Sequence, residues 1–181
     1  KVVALSDCEP DVCQMEALLL QKAAHVMVKC SPMLDISQAL AQLTSVREVH
    51  VVSVSNECKE LLLVLGGRAG GGVSVCTVNF HGNHVHTFDF TYEEEQEAQC
   101  IYTAAVGRYL YEPNSSMMKA GCFRLPALRY GLEKLHRNTH LYTSDILVPD
   151  FPGRVFEVKR VDGFGKNELK RLSSESKKAN L

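Results

Sequence analysis

No apolar run in these 181 residues approaches membrane-spanning length, and the first residues, Lys1-Val2-Val3-Ala4-Leu5, carry neither a signal-peptide pattern nor a Met. A strand-like start without Met is what a fragment would show. No Cys-x-x-Cys pair occurs, and the seven cysteines are an odd number at irregular spacing. That pattern argues against a disulfide frame and for reduced, mostly buried thiols in the cytoplasm. No Gly-Lys-Ser/Thr is present to form a phosphate loop. The run Gly66-Gly67-Arg68-Ala69-Gly70-Gly71-Gly72 does not fit G-x-G-x-x-G and precedes a strand-like stretch, Val73–Phe80. A cofactor-holding loop must leave a strand and open a helix, so these glycines read as a hairpin connection.

What is present is globular in composition, with 45% hydrophobic and 23% charged residues, enough for one domain or two small ones. The net charge of -1 hides an asymmetry. Residues 1–118 hold seven Lys and Arg against fourteen Asp and Glu, whereas residues 119–181 hold thirteen against seven. A basic second half points to an anionic partner without naming it.

Periodicity supplies the elements. Asp7 is placed to cap a helix with Pro10 in its first turn, burying Val12, Met15, Leu18 and Leu19. The nearly continuous apolar stretches His25–Cys30 and Val49–Val54, with a short helix behind Asp35 between them, have a βαβ rhythm. That rhythm predicts a parallel sheet with helices packed outside. Cys58–Leu65 is too short an apolar run to be assigned by period alone. His81-Gly82-Asn83 predicts a hairpin turn into His84–Phe90, and Glu93–Glu97 a solvated helix or loop. Further on, Pro113 stops a strand, Asn114 stands as an N-cap, and Met118, Gly121, Cys122, Leu125 and Leu128 keep helical spacing as far as Gly131. Leu141–Ser144 and Val155–Val161 read as strands, Pro149 and Pro152 as a linker, and Asn167–Lys178 as a polar helix.

The stretch Tyr109-Leu110-Tyr111-Glu112-Pro113-Asn114, followed by Lys119-Ala120-Gly121, resembles a signature of class I S-adenosylmethionine-dependent methyltransferases that carry a C-terminal THUMP-like domain. Ser6–Asp11, Lys29–Asp35, Asn56–Leu61, Tyr142–Asp145 and Phe151–Arg154 add ordered anchors along nearly the whole chain. The fold the resemblance implies is α/β: a partial Rossmann-like sheet made of the C-terminal methyltransferase strands, then a small α+β, ferredoxin-like or THUMP-like module. It divides the chain into residues 1–90, 91–150 and a truncated 151–181. It also implies that Cys58–Leu65 is the antiparallel last strand of the sheet, and that the full-length protein transfers a methyl group from S-adenosylmethionine to RNA (tRNA or rRNA). The cofactor loop and catalytic residues would lie upstream, leaving this chain alone inactive. The competing reading is a non-enzymatic RNA-binding or protein-interaction module.

Candidate site residues follow. Ligands bind outside the carboxyl ends of strands in open α/β sheets, which selects Lys29, Ser31 and Pro32 at one strand end and Asn56 and Glu57 at the next, against a purely structural role. Tyr109, Tyr111 and Lys119, beside Arg108, combine aromatic and basic groups that can hold unpaired nucleotides, against ordinary core packing with the hydroxyls satisfied. Lys159, Arg160, Lys166, Lys170 and Arg171 are the RNA-binding candidates, against a solvated helix face. His81, His84 and His86 lack a neighbouring Cys or carboxylate in sequence and read as exposed hairpin histidines rather than metal ligands. Were the upstream strands missing, the sheet would have an unpaired edge able to recruit another copy.

Overall fold

A computed structural model describes residues 4–67, 72–163 and 165. Helix α1 (Val12–Lys22) is capped by Asp11, whose Oδ1 accepts from the amides of Cys13 at 2.9 Å and Gln14 at 3.4 Å. The cap therefore falls four residues after the Asp7 of the sequence reading, and Asp7 closes a short 3-10 turn, Leu5–Asp7. A helix begun at Asp7 would run through Glu9, which the following proline pushes away from helical geometry. Nor does α1 bury the face expected of it, since none of its residues is fully buried and Leu18 is 52% exposed.

Strand β1 (His25–Cys30) leads through α2 (Ile36–Gln42), capped by Asp35, into β2 (Val46–Val54). Ser55 and Asn56 then take φ of 50° and 62°, the left-handed pair that a two-residue hairpin loop demands. The chain returns as β3 (Glu57–Gly66), and the hairpin β4 (Ser74–His81) and β5 (His84–Thr91) follows. The five strands lie in the order β1-β3-β2-β4-β5. Only β2 and β4 pair in parallel, and the other three pairs are antiparallel. The expected parallel sheet is thus corrected to a mixed one. The two strands of the βαβ unit do run in the same direction, but β3 folds back between them and takes their hydrogen bonds.

Burial on both faces is corrected as well. Val49, Val51, Leu61, Leu63, Leu65 and Val75 are fully buried at alternate positions, packed with residues of α2 in one cluster. Their neighbours on the opposite face, such as Met27, Val54, Phe80 and Val85, are 43% to 64% exposed. Among the described residues β1 is paired on one side only.

Helix α3 (Tyr92–Glu97) opens on a capping box, in which Thr91 and Glu94 satisfy each other's amides. Beyond it lies a second, four-stranded sheet, β7-β8-β6-β9, antiparallel throughout. Its strands are β6 (Tyr109–Pro113), β7 (Glu133–Lys134), β8 (Tyr142–Ser144) and β9 (Gly153–Glu157). The single helix read between Asn114 and Gly131 is in fact two: α4 (Ser115–Ala120) and α5 (Leu125–Tyr130). Gly121, at φ 80°, ends the first in the left-handed region that glycine adopts without a Cβ penalty, and Gly131 ends the second in the same way. Helical spacing alone could not tell an interior glycine from a cap.

Tyr111, Tyr142 and Phe151 form the centre of the second core, with ring centroids 5.2 to 6.1 Å apart across the pairs to Phe151. The expected linker at Pro149 to Pro152 is corrected accordingly. Phe151 is buried in that core, and β9 pairs with β6 along its whole length. The polar helix read at Asn167–Lys178 lies outside the described residues.

Burial has one consequence that a titration reads directly. It raises the thiol of Cys30 to about 11, and burial with the Asp89 hydrogen bond raises Cys76 to about 12. Tyr92 is pushed by burial to about 12, while Cys122 and Tyr142 are raised further. Each of these groups keeps its proton when folded and loses it at its ordinary pKa when unfolded, so above about pH 9 the native state binds more protons. Stability is therefore expected to be flat from neutral pH to about 9 and to fall continuously beyond it, read as a declining urea midpoint. Lys134, lowered by burial, opposes this trend as a single group.

Candidate functional site

The carboxyl ends of β1 and β2 converge on helix α4. Asn114 caps that helix, its Oδ1 accepting from the amides of Ser116 and Met117, each at 3.1 Å, and from the Ser116 hydroxyl at 2.6 Å. Asn56, on the tight turn after β2, accepts from the Ser115 amide at 2.7 Å, and its own amide donates to Asn79 Oδ1 at 3.1 Å. The Ser115 hydroxyl lies 2.8 Å from that of Ser53, a fully buried serine of β2. At the other end of the helix, Lys119 Nζ donates to the Leu34 carbonyl at 2.6 Å, just past the end of β1. The Tyr-Glu-Pro-Asn segment thus leaves the second sheet as β6 and fastens its helix to the carboxyl end of the first. Replacing Asn56 by Gly keeps the left-handed turn and removes only the side-chain bond. It is expected to cost about 1 kcal/mol in a urea titration.

The candidate residues separate in space. Ser31, Pro32, Asn56 and Lys119 gather around this end of the sheet, where Ser31 Oγ accepts from the Met33 amide at 3.2 Å. Lys119 also lines a cavity of about 450 Å³ together with Asp35, Tyr92 and Glu95. Near it, Cys58 has its thiol pKa raised by burial, with the Lys119 charge opposing that shift. Lys29 and Glu57 stand apart, each in an exposed ion pair, with Glu60 at 3.1 Å and Lys59 at 2.7 Å respectively. Tyr111 is corrected outright. It is 0% exposed, its hydroxyl donates to the Ile146 carbonyl and accepts from the Val148 amide, both at 3.0 Å, and it has no surface for a ligand. Tyr109 is half-buried beneath Arg108, whose guanidinium lies 5.3 Å from the ring centre.

Of the basic group near the end of the chain, Lys159 pairs with Glu157 and Arg160 with Asp162, each two residues along. Both cations are partly neutralised by carboxylates close by in the chain. Lys166, Lys170 and Arg171 lie outside the described residues. His81 and His84 face each other across the β4–β5 hairpin, and the buried Nδ1 of His86 has no hydrogen-bond partner among the described residues. Among the described residues no three His, Cys, Asp or Glu side chains are grouped to hold a metal ion.

Sequence reasoning missed Glu95, which it placed in a solvated acidic stretch. One oxygen of that carboxylate accepts from the amides of Phe123 and Arg124 at 3.0 and 2.7 Å, the other from Leu125 at 3.0 Å and the Cys122 thiol at 3.7 Å. Nothing in a run of four glutamates marks the third as the one that closes the N-terminus of α5. Pro126 just inside that helix is the only local signal.

Residues 109–152 match a family model described as a ferredoxin-like domain. Two uncharacterized S-adenosylmethionine-dependent methyltransferases from strains of Mycobacterium tuberculosis are each 25% identical to the chain over 154 residues, which is 84% of this chain and 40% of theirs. A crystal structure of a "putative methyltransferase" from Porphyromonas gingivalis W83 superposes with a TM-score of 0.88 at 37% identity, over 96% of this chain and 44% of that one. The chain therefore spans less than half the length of these relatives. It shares homology with S-adenosylmethionine-dependent methyltransferases, and its α/β architecture has two sheets, the second in the region of the ferredoxin-like match. No helix of the described residues is long and apolar enough to cross a membrane.

Proposed function

We propose that this chain supplies the carboxyl-terminal side of an S-adenosylmethionine-dependent RNA methyltransferase, contributing its last sheet strands and an attached α+β module of THUMP-like character. The observation that carries this reading is the insertion of antiparallel β3 between the co-directional β1 and β2. Its antiparallel direction is what the resemblance implies for the last strand of a class I methyltransferase sheet. The one-sided pairing of β1 and the exposed Met27, Val54, Phe80 and Val85 suit a sheet that continues and is covered by further chain.

The residues described do not fit the cofactor. A cradle for S-adenosylmethionine needs a strand that opens through glycines into a helix, whereas β1 leaves through Ser31-Pro32 and β2 through Ser55-Asn56. Gly66, at the end of β3, is glycine for packing, since a Cβ there would lie 2.7 Å from the His25 ring and 2.8 Å from the Arg47 side chain. The chain's own part is to position: Lys119 and the turn at Asn56 frame the strand ends beside which an acceptor would lie, and orientation supplies much of the help in an in-line methyl transfer.

The test has two arms. Transfer of labelled methyl from S-adenosylmethionine into unmodified bulk RNA is expected from the complete gene product and not from the 181-residue chain. Calorimetry on the chain alone is expected to show no saturable S-adenosylmethionine binding. Micromolar binding by the chain would refute the placement of the cofactor elsewhere, and a complete protein that methylates only protein or small molecules would refute RNA as the substrate.

A further inference from the structure

A second concavity, of about 390 Å³, shares Glu95, Gln96 and Phe123 with the cavity that Lys119 lines, and is walled by Arg124, Lys134, Arg137 and Tyr102. Lys134 is 1% exposed, and no ion pair holds it among the described residues. Its ammonium instead donates to the carbonyls of His136 at 3.2 Å and Arg137 at 2.9 Å. Two carbonyl dipoles orient a buried charge without cancelling it, so the positive potential persists at the cavity wall. Burial holds the Lys134 pKa below the ordinary lysine value, with Cys100 and the Glu95 carboxylate pulling the other way.

The other two cations stand at the rim. Arg124 is exposed and spends one guanidinium donor on the Gln96 carbonyl at 3.1 Å. Arg137 is exposed, and no carboxylate pairs with it among the described residues. One carboxylate reaches the cavity, that of Glu95, and its oxygens are taken by the three backbone amides at the start of α5. Three cations thus face one carboxylate that is already engaged. Guanidinium forks match the geometry of phosphate oxygens better than an ammonium does.

The remaining walls are aromatic. Tyr102 is 49% exposed at the mouth, held there by a bridge in which Lys134 donates to the Ile101 carbonyl at 2.8 Å and the Thr103 amide donates to the Lys134 carbonyl at 3.0 Å. The sequence places Tyr102 and Lys134 thirty-two positions apart, and this bridge brings the ring beside the charge. Phe123 is stacked on His140 with centroids 3.8 Å apart and planes inclined by 24°, which fixes it as a flat wall. An exposed ring next to forked cations is the combination that takes one unpaired nucleotide, its base on the ring and its phosphate on the forks.

We propose that this cradle binds a single-stranded nucleotide of the RNA substrate, with Arg124 and Arg137 receiving the phosphate, the buried Lys134 adding its charge behind them, and Tyr102 taking the base. The proposal rests on the RNA reading above and adds a binding site beside β7 of the second sheet, next to the cavity that Lys119 lines.

Fluorescence anisotropy of the chain with a labelled oligouridine, across a salt series, tests it. Arg137→Ala is the informative variant, because the side chain is exposed and no described ion pair is lost with it. Weakening by about tenfold is expected, with the log-log salt slope falling by about 0.7, one single-strand phosphate. Tyr102→Ala is expected to weaken binding about tenfold with the slope unchanged, and Tyr102→Phe to bind as the unaltered chain does. Competition with inorganic phosphate at equal ionic strength is expected to displace little, since the base contributes. If the chain binds oligouridine and neither Arg137→Ala nor Tyr102→Ala alters it, the cradle is overturned and the RNA reading stands. If free phosphate displaces the RNA completely and Tyr102→Ala is silent, the site is an anion site and the nucleotide assignment is overturned. If the chain binds no oligouridine even at low salt, the cradle is refuted, and methyl transfer into RNA by the complete protein decides the RNA reading separately.

Discussion

Glu95→Ala is expected to destabilise the protein by about 3 kcal/mol, a large effect for a half-exposed side chain. The carboxylate accepts three backbone amides at 2.7 to 3.0 Å at the start of α5, and nothing else in the described residues accepts them. Bonds to a charged acceptor are each worth about 1.5–3 kcal/mol, with the upper sum reduced because water can reach part of the group. A negative charge at a helix N-terminus adds a smaller favourable term. Loss of α5 spreads beyond its own turn, because Ala127 and the neighbouring Leu132 lie in the core around Phe151, and Leu125 lies in the core of the first sheet. For a domain of this size about 3 kcal/mol corresponds to a fall in Tm of roughly 6–12 °C. Glu95→Gln keeps an acceptor oxygen without the charge and is expected to lose about half as much. A thermal scan in which Glu95→Ala and the unaltered chain melt together would mean that water replaces the carboxylate at no net cost.

Gly153→Ala is the second large expected effect, also about 3 kcal/mol, and its cause is steric. A Cβ at position 153 would stand 2.0 Å from the Glu112 carbonyl oxygen and 2.8 Å from the Phe151 ring. The first of these is backbone of the paired strand, so no rotamer change relieves it. Either β9 moves off β6 or Pro113 and Gly153 cease to face each other, and both loosen the edge that covers Phe151. Overpacking in a tight core costs about 1–3 kcal/mol, and a backbone clash sits at the top of that range. Urea denaturation gives the stability, and amide exchange at Leu110 and Glu112, on the side of β6 that faces β9, reports whether the β6–β9 pairing is where the loss occurs. Unchanged exchange at those two amides, with a lowered midpoint, would place the damage elsewhere and remove the steric account.

Some of this molecule was legible in the residues alone. Asn114 reads as a cap because an amide oxygen ahead of helix formers satisfies free amides locally, and it caps α4. The β4–β5 hairpin is legible because Gly82 supplies the turn, and it is in place at φ 56°. The nearly continuous apolar stretch Val49–Val54 reads as a strand and lies within β2, whereas period alone left Cys58–Leu65 unassigned. The sequence also determined the charge division between its halves, since composition does not depend on folding.

Only the tertiary structure decided what depends on partners distant in the chain. Periodicity carries no information about which strand lies beside which, so the insertion of β3 between β1 and β2 is absent from it. A Ser-Asn pair signals a tight hairpin weakly, and the fold holds it there by bonding Asn56 to Ser115 and Asn79. Tyr109 and Tyr111 look alike in sequence, yet the pleat turns one partly outward and drives the other into the core against Phe151. Glu95 sits among equivalent glutamates, and only the approach of α5, about thirty residues later, gives one of them three amides to hold. Charge followed the same rule: cations assemble into a cradle when strand pairing brings Tyr102 beside Lys134, a proximity that thirty-two positions of sequence separation conceal.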